Sequence, residues 1–389
     1  MSTAAHNNPG TWPVLQYSAR AALRLLLRRG PLGRSEMARM LGVSRANLTR
    51  VTRELLAAGL VREGPTELRS AMGRPVELLQ TVPDAYHFVG VKITGEALYA
   101  VVVNLSNVVV ASLESPLRSR EPVDVEEVVD EIAVILDSFG ARFNDIAGLG
   151  IALAGTISGP PEHEIVYEST YLGWDGVALA DLLRVRLGLP VTVGNEVQAL
   201  TLTESLSMQG HPGDVTMALV TVGVGIGVGY VIDGALIKGA SGRPGRLNHL
   251  IVDPQGPLCD RGHRGCVASY LTNESIAKNS GFENYDQAIV AARAGDASAV
   301  RAFVGAGRAL GDLLGTVVNA VDPGVVILTG DGLALHEIAA DAIGDGIART
   351  RAWNAGQFTL DVRAFDFSEW ARAAAVMSIN LALTTGRGR

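Results

Sequence analysis

Five polar residues set at helical spacing carry the plainest chemistry in this chain. In residues 34–61, RSEMARMLGVSRANLTRVTRELLAAGLV, the side chains of Arg45, Asn47, Thr49, Arg50 and Arg53 avoid the apolar positions of a helix that starts after Ser44. Guanidinium, amide and hydroxyl groups are the ones that hydrogen-bond base edges and phosphates. A helix set into the major groove of DNA needs such an outer face. The inner positions are equally particular. Leu48, Val51 and Leu55 point to a core, Ala38 is small where two helices cross, and Gly42 permits the turn between them. Ser35 can cap a short helix to Leu41, and Ser44 can cap a second one to about Ala58. An ordinary helical hairpin would also show a polar outside. The joint pattern of small residue, glycine, spaced aliphatics and basic face favours a helix-turn-helix, with Ser44 joining the five as a DNA contact.

The elements that must hold this helix lie on either side of it. Residues 15–29, LQYSARAALRLLLRR, place Leu15, Ala19, Ala22, Leu23, Leu26 and Leu27 on one stripe and Arg20, Arg24 and Arg28 on another. Gly30-Pro31 ends that helix. Leu60–Glu63 and Pro75–Leu79 are strand-like and flank GPTELRSAMGR (64–74), which makes a wing. Arg74, at the return of the wing, is either a minor-groove contact or a solvated turn residue.

Charge separates this head from the rest. The 389-residue chain has net charge −7, but residues 1–82 hold 12 Arg, no Lys and 5 acidic residues, or +7. Residues 83–389 therefore carry −14. A basic segment on an acidic body points to nucleic acid as the partner of the basic part. Hydrophobic residues make up 48% of the chain, which excludes disorder throughout. No 18-residue apolar window is present, and Met1–Gly10 lacks a signal pattern, so a cytoplasmic protein without a membrane partner is expected. Two cysteines, Cys259 and Cys266, are too few for a disulfide framework.

The body reads as α/β. YHFVGVKI from Tyr86, then ALYAVVVNL and NVVVASLES, predict an antiparallel meander. A helix over 122–139, a strand over 146–154 ending in Gly155, a helix over 175–187 and a strand over 189–193 follow. A second set has strands at 215–222 and 226–232, helices within 285–320, a strand at 325–329, a helix at 334–350, a strand at 358–365 and a helix at 370–384. Two such sets predict two similar lobes around a ligand cleft. The domain expectation is a disordered tail over 1–12, a winged helix-turn-helix over 13–82, and a body over 83–389. Within the body, lobe one takes 83–194 plus helix 370–385, and lobe two takes 195–369.

Four stretches of the body carry a resemblance: VGVGIGVGYVIDGALIKGASGRPGRLNHL (222–250), CDRGHRGC (259–266), LGWDGVALADLLRVRLGLPVTVGNE (172–196) and DPGVVILTGDG (322–332). With them the chain resembles the ROK family of repressors and sugar kinases, over about residues 13–385. The head marks the repressor branch. The resemblance implies an actin-like, two-lobed sugar-kinase fold, and it also shows where this chain departs from a kinase. Lys92 stands where kinases of the family carry a metal-organising Asp. Val224 replaces a phosphate-loop Thr, and Glu196 replaces the catalytic Asp that follows an Asn. Phosphoryl transfer depends on positioned metal and phosphate contacts, so no catalytic residue is expected and Glu196 is a vestigial base.

By the same resemblance an effector would meet Gly155, Asn195, Glu196, Arg246 and His249. Arg246 and Ala268 stand where two sugar-binding glutamates are usual, so a neutral hexose loses two acceptors. Arg243 and Arg246 suit an anionic sugar derivative, unless the site is vestigial. The family's zinc motif leaves His249, Cys259 and Cys266 as ligands, with His263 as a substitute for the cysteine replaced by Arg261. That replacement weighs against a structural zinc, and no other cofactor is implied. The resulting expectation is a repressor of carbohydrate-related genes, a homodimer or tetramer on a palindromic operator, released by a sugar or sugar derivative. The alternatives are an ATP-dependent sugar kinase with a DNA-binding head and a regulator released by a protein partner.

Overall fold

The computed structural model describes residues 11–67, 75–118, 122–208 and 215–385. The chain forms two compact units, Met1–Gly210 with Phe367–Arg389, and His211–Asp366.

The head opens the first unit. It comprises α1 (Tyr17–Arg29), β1 (Leu32–Gly33), α2 (Arg34–Leu41), α3 (Arg45–Ala57), β2 (Val61–Glu67) and β3 (Val76–Thr81). Gly42 takes the left-handed conformation (φ 63°) that turns α2 into α3. The Ser44 side chain accepts the Asn47 N–H and caps α3. The strands form a three-stranded antiparallel sheet in the order β1-β3-β2. The remainder of the wing, 68–74, lies outside the described residues, and Arg74 with it.

The head does not end at its sheet. Its core residues Leu23, Leu26, Leu48 and Leu55 belong to one cluster with Phe88, Val101, Ala375 and Ile379 of the body. Trp12 is 2% exposed and packs edge-on against Tyr86 and Phe88, with ring centroids 5.2 and 5.6 Å away. This corrects the disordered tail expected over 1–12 at its last residue: an indole beside two rings is buried because it removes a large apolar surface from water. Residues 1–10 of that tail lie outside the described residues.

The body of the first unit is built on β4 (His87–Ile93), β5 (Ala97–Asn104) and β6 (Val109–Pro116), then α4 (Val125–Gly140), β7 (Ile146–Leu153), β8 (Thr156–Ser158), β9 (Ile165–Ser169), β10 (Trp174–Val177), α5 (Leu179–Leu187), β11 (Val191–Asn195) and α6 (Glu196–Ser207). The main sheet runs β11-β7-β4-β5-β6, with the expected antiparallel meander and two parallel strands beside it. The C-terminal helix, Phe367–Thr385, lies across it. Gly90 and Gly150 allow that close approach, since a methyl on either would strike the carbonyl of Ala371 or Ala374. Two expectations change here. Residues 175–177, expected to start a helix, belong to the strand Trp174–Val177, because Trp174 and Asp175 pair with Ser169 and Glu168. The segment 195–208 falls in the first unit rather than opening the second, because α6 packs on the C-terminal helix.

The second unit contains β12 (Met217–Thr221), β13 (Gly227–Ile232), β14 (Ala235–Leu236), α7 (Ala268–Leu271), α8 (Asn273–Ser280), α9 (Tyr285–Arg293), α10 (Ala297–Val321), β15 (Val325–Thr329), α11 (Ala334–Thr350) and β16 (Thr359–Val362). Its sheet runs β14-β13-β12-β15-β16, again an antiparallel set of three joined to two parallel strands. The two main sheets thus share one topology. Side chains cap its helices: Thr272 for α8, Asn284 for α9 and Asp296 for α10.

Candidate functional site

The outer face of α3 is the first site. Leu48, Val51 and Leu55 are at most 1% exposed and fix which side of the helix faces out. Ser44, Arg45, Thr49, Arg50 and Arg53 are exposed, and Asn47 is half-buried. Thr49 donates its hydroxyl to the Arg45 carbonyl at 2.9 Å, and Arg50 donates to Asn47 Oδ1 at 3.1 Å. Arg34 is used differently. It donates to Glu63 at 2.8 Å and to Glu77 at 2.6 Å, tying the start of α2 to both wing strands.

In the body of the first unit, β11 delivers Asn195 and Glu196 to the start of α6. Asn195 is spent on structure. Its Oδ1 accepts the Val197 and Gln198 N–H groups, and its Nδ2 donates to the Gly155 carbonyl at 3.0 Å. Glu196 takes a hydrogen bond and ion pair from the Lys92 ammonium. Lys92 is 5% exposed, and its Nζ lies 5.6 Å from the Trp370 ring centroid. Burial pulls the Lys92 ammonium down to about 7, while Glu196 is the counter-charge beside it. Gly155, Asn195 and Glu196 are therefore brought together. Arg246 and His249 belong to the other unit.

In the second unit, residues 249–266 fold around their thiols and imidazoles. His249 Nδ1 is 3.6 Å from Cys266 Sγ and 3.8 Å from Cys259 Sγ, and His263 Nδ1 is 3.7 Å from Cys259 Sγ. One donor atom from each of the four lies within 4.8 Å of the others. A tetrahedral zinc with ordinary Zn–N and Zn–S bonds separates neighbouring N and S ligands by about 3.6 Å, so this donor set fits a metal ion. A turn brings His263 in, with the Cys259 N–H donating to the His263 carbonyl at 2.9 Å. Arg261, at the replaced ligand position, is exposed beside Asp260. Burial, with the neighbouring His263, lowers the His249 pKa, and burial raises that of Cys266. Both keep protons away from the imidazole and on the thiol in the absence of a metal. Arg243 and Arg246 are exposed.

The glycine-rich turn between β12 and β13 holds Val224, which is 61% exposed. Its N–H points at the Asp331 carboxylate, 3.4 and 3.3 Å from the two oxygens. Asn273 donates to Asp331 Oδ2 at 2.8 Å. Sequence reasoning passed over Asp331 and Asn273. The available signal was an acidic residue between two glycines directly after the buried strand β15.

A winged helix-turn-helix joined to an α/β body with two sheets of one topology is the architecture of a DNA-binding regulator with a sugar-kinase-like body. The ROK family model matches residues 88–375, and the chain belongs to the ROK family. A MarR family model matches residues 16–64, across the helix-turn-helix. The chain is 23% identical to the DNA-binding transcriptional dual regulator NagC of Escherichia coli K12, over 96% of this chain and 94% of that protein. It is 25% identical to the E. coli K12 repressor Mlc, over 98% and 97%, and 23% identical to the xylose repressor of Bacillus subtilis 168, over 85% and 86%. Among solved structures, a ROK family transcriptional regulator homologous to E. coli Mlc superposes with TM-score 0.81 at 24% identity, covering 95% of this chain and 96% of that one. A ROK glucokinase from Streptomyces griseus superposes with TM-score 0.62 over 76% of this chain. The regulator match thus spans the head, whereas the kinase match leaves about a quarter of the chain without a counterpart. No helix among the described residues is long and apolar enough to cross a membrane.

Proposed function

We propose that this chain is a sequence-specific DNA-binding regulator, a repressor of carbohydrate-related genes controlled by a sugar or sugar derivative. The observation that carries this reading is the exposed polar face of α3, set on a helix-turn-helix whose core is continuous with the body. The head reads DNA through Ser44, Arg45, Asn47, Thr49, Arg50 and Arg53, with Arg74 of the wing as an added contact. A homodimer would present two such heads to a palindromic operator. The effector must bind the DNA-competent and DNA-released states with different affinity. The family resemblance suggests Gly155, Asn195, Glu196, Arg246 and His249 as effector contacts, with Arg243 and Arg246 as donors to an anionic sugar derivative; Asn195 would act by fixing the Gly155 turn, since its own side chain is already paired.

The body is not a working kinase. Lys92 neutralises the carboxylate at the base position, and Val224 brings no hydroxyl to the phosphate loop. The names of the relatives, NagC, Mlc and xylose repressors, support a regulatory role. His249, Cys259, His263 and Cys266 would hold a zinc ion. Four protein ligands leave no open coordination position, so it would supply a structural cross-link and no chemistry.

The test is fluorescence anisotropy with the DNA upstream of the protein's own gene, against scrambled DNA at moderate salt. Specific binding is expected, and Arg50→Ala should weaken it by about 1–3 kcal/mol. Equal affinity for both DNAs would overturn the reading. A coupled ADP-release assay over neutral and anionic sugars should show no turnover; turnover lost in Glu196→Ala would restore the kinase alternative.

A further inference from the structure

The glycine-rich turn 222–226 meets the turn 330–332 backbone to backbone. Gly332 donates its N–H to the Val222 carbonyl at 2.9 Å, and a methyl on Gly330 would strike that same carbonyl. Asn273 at the start of α8 donates its backbone N–H to the Gly223 carbonyl at 2.9 Å. Between these contacts the Asp331 side chain turns onto the glycine-rich loop, close enough that a methyl on Gly223 would overlap its carboxylate. It collects the Val224 N–H and the Asn273 side-chain amide. The other polar atom of that amide, Asn273 Oδ1, is shut off from solvent without a hydrogen-bond partner.

Loops of this composition, with N–H groups directed into a concavity beside a helix N-terminus, are anion sites. Here the anion is already part of the chain. We propose that Asp331 is a resident anion that holds the Val224 N–H and the Asn273 amide and thereby denies both donors to phosphorylated ligands. A phosphoryl oxygen entering the loop would have to displace the carboxylate from Val224 and Asn273. It would then lie beside a like charge, which is unfavourable where water is partly excluded. Removing the charge leaves the donors in place, because Gly332 and the Asn273 backbone keep their contacts with residues 222–223. Asp331 is thus a specificity residue. It separates ligands by the presence of a phosphoryl group, whatever the rest of the ligand is. The inference does not depend on the DNA-binding reading.

The experiment is isothermal titration of the full-length protein with tripolyphosphate and, separately, ADP, both without added metal. Four proteins are compared: wild type, Asp331→Ala, Asp331→Asn, and Asp233→Asn, which removes one charge from another turn of the same unit. Wild type and Asp233→Asn should show no saturable binding. Asp331→Ala should bind saturably, at least about tenfold more tightly than the weakest binding the titration can detect, the scale of one removed like-charge contact, with Asp331→Asn weaker than Asp331→Ala. DNA affinity should stay the same in all four, so a failure of the DNA reading would be seen separately. Saturable binding by wild type at the affinity of Asp331→Ala, or at that of Asp331→Asn should the alanine variant not fold, would overturn the proposal. So would an Asp331→Ala protein that melts like wild type yet gains no affinity.

Discussion

The two units use one sheet topology for opposite purposes. In the first, β4 to β6 with β7 and β11 carry a buried cation, Lys92, matched by Glu196. In the second, β12 to β14 with β15 and β16 carry a carboxylate, Asp331, lodged on a glycine-rich turn. Each unit thus pairs a charged side chain of its own with groups of the same unit, Lys92 with Glu196 and Asp331 with Val224 and Asn273. The first unit also shares its hydrophobic core with the DNA-reading head, whereas the core of the second contains no head residue. The two units therefore agree in sheet topology and differ in the sign of the charge each one holds.

The largest effects should come from the two cores. Phe88 and Phe303 are each 0% exposed. Truncation of either to alanine should cost about 3–5 kcal/mol, measured by denaturant unfolding. The consequences should differ. Phe88→Ala empties the contact under Trp12 and should weaken operator binding under conditions where the protein is still folded. Phe303→Ala sits with Tyr285 and the helices of the second unit and should leave DNA affinity unchanged. Equal losses of DNA affinity would erase the asymmetry between the units.

Next is the ion pair. Glu196→Gln leaves the Lys92 ammonium without its counter-charge, and Lys92 has a side-chain exposure of only 7%. A loss of about 3 kcal/mol is expected near pH 6, as for other buried pairs broken on one side. Lys92→Met should cost much less than Glu196→Gln, since a methionine in that place needs no partner and still packs beside Trp370. A Lys92→Met protein as unstable as Glu196→Gln would mean that the pair itself, rather than an uncompensated charge, sets the cost.

Much of this organisation was legible in the sequence. The boundaries of β15 and α11 follow from an aliphatic run and a 3.6-residue period, and the face of α3 follows from Leu48, Val51 and Leu55. The signals that failed were short or non-local. β8, β9 and β10 are three to five residues long, too short for a periodicity to register. Trp174 turns inward because its indole N–H donates to the Val123 carbonyl at 2.7 Å, 51 residues away. Lys92 and Glu196 are separated by 104 residues, so the sequence does not show that they pair. His263 was legible as a candidate fourth ligand, and the fold brings its Nδ1 to 3.7 Å from Cys259 Sγ.

The smallest effects should be pH dependences, and they should have opposite signs in the two units. Lys92 is lowered from 10.5 in the open chain to about 7 in the fold, by burial. Between those values the unfolded chain holds a proton that the folded chain lacks, so stability should rise with pH from about 7 upward, by roughly 1 kcal/mol per unit. The same change removes the need for a counter-charge, so the Glu196→Gln penalty should shrink over that range. Asp331 shifts the other way. Burial against the loop raises its carboxyl above the ordinary range, although the Val224 N–H and Asn273 amide pull it back. A raised carboxyl contributes stability below the ordinary carboxylate range, and that contribution is lost as pH rises through the folded value. Mild acidification should therefore favour the second unit slightly, and Asp331→Asn should flatten that slope while leaving the alkaline slope intact. Lys92→Met should flatten the alkaline slope alone. Thermal melts of the three proteins from pH 4 to pH 9.5 measure both slopes. If one substitution flattened both, the two charges would be coupled, and the picture of two separately paired charges would fail.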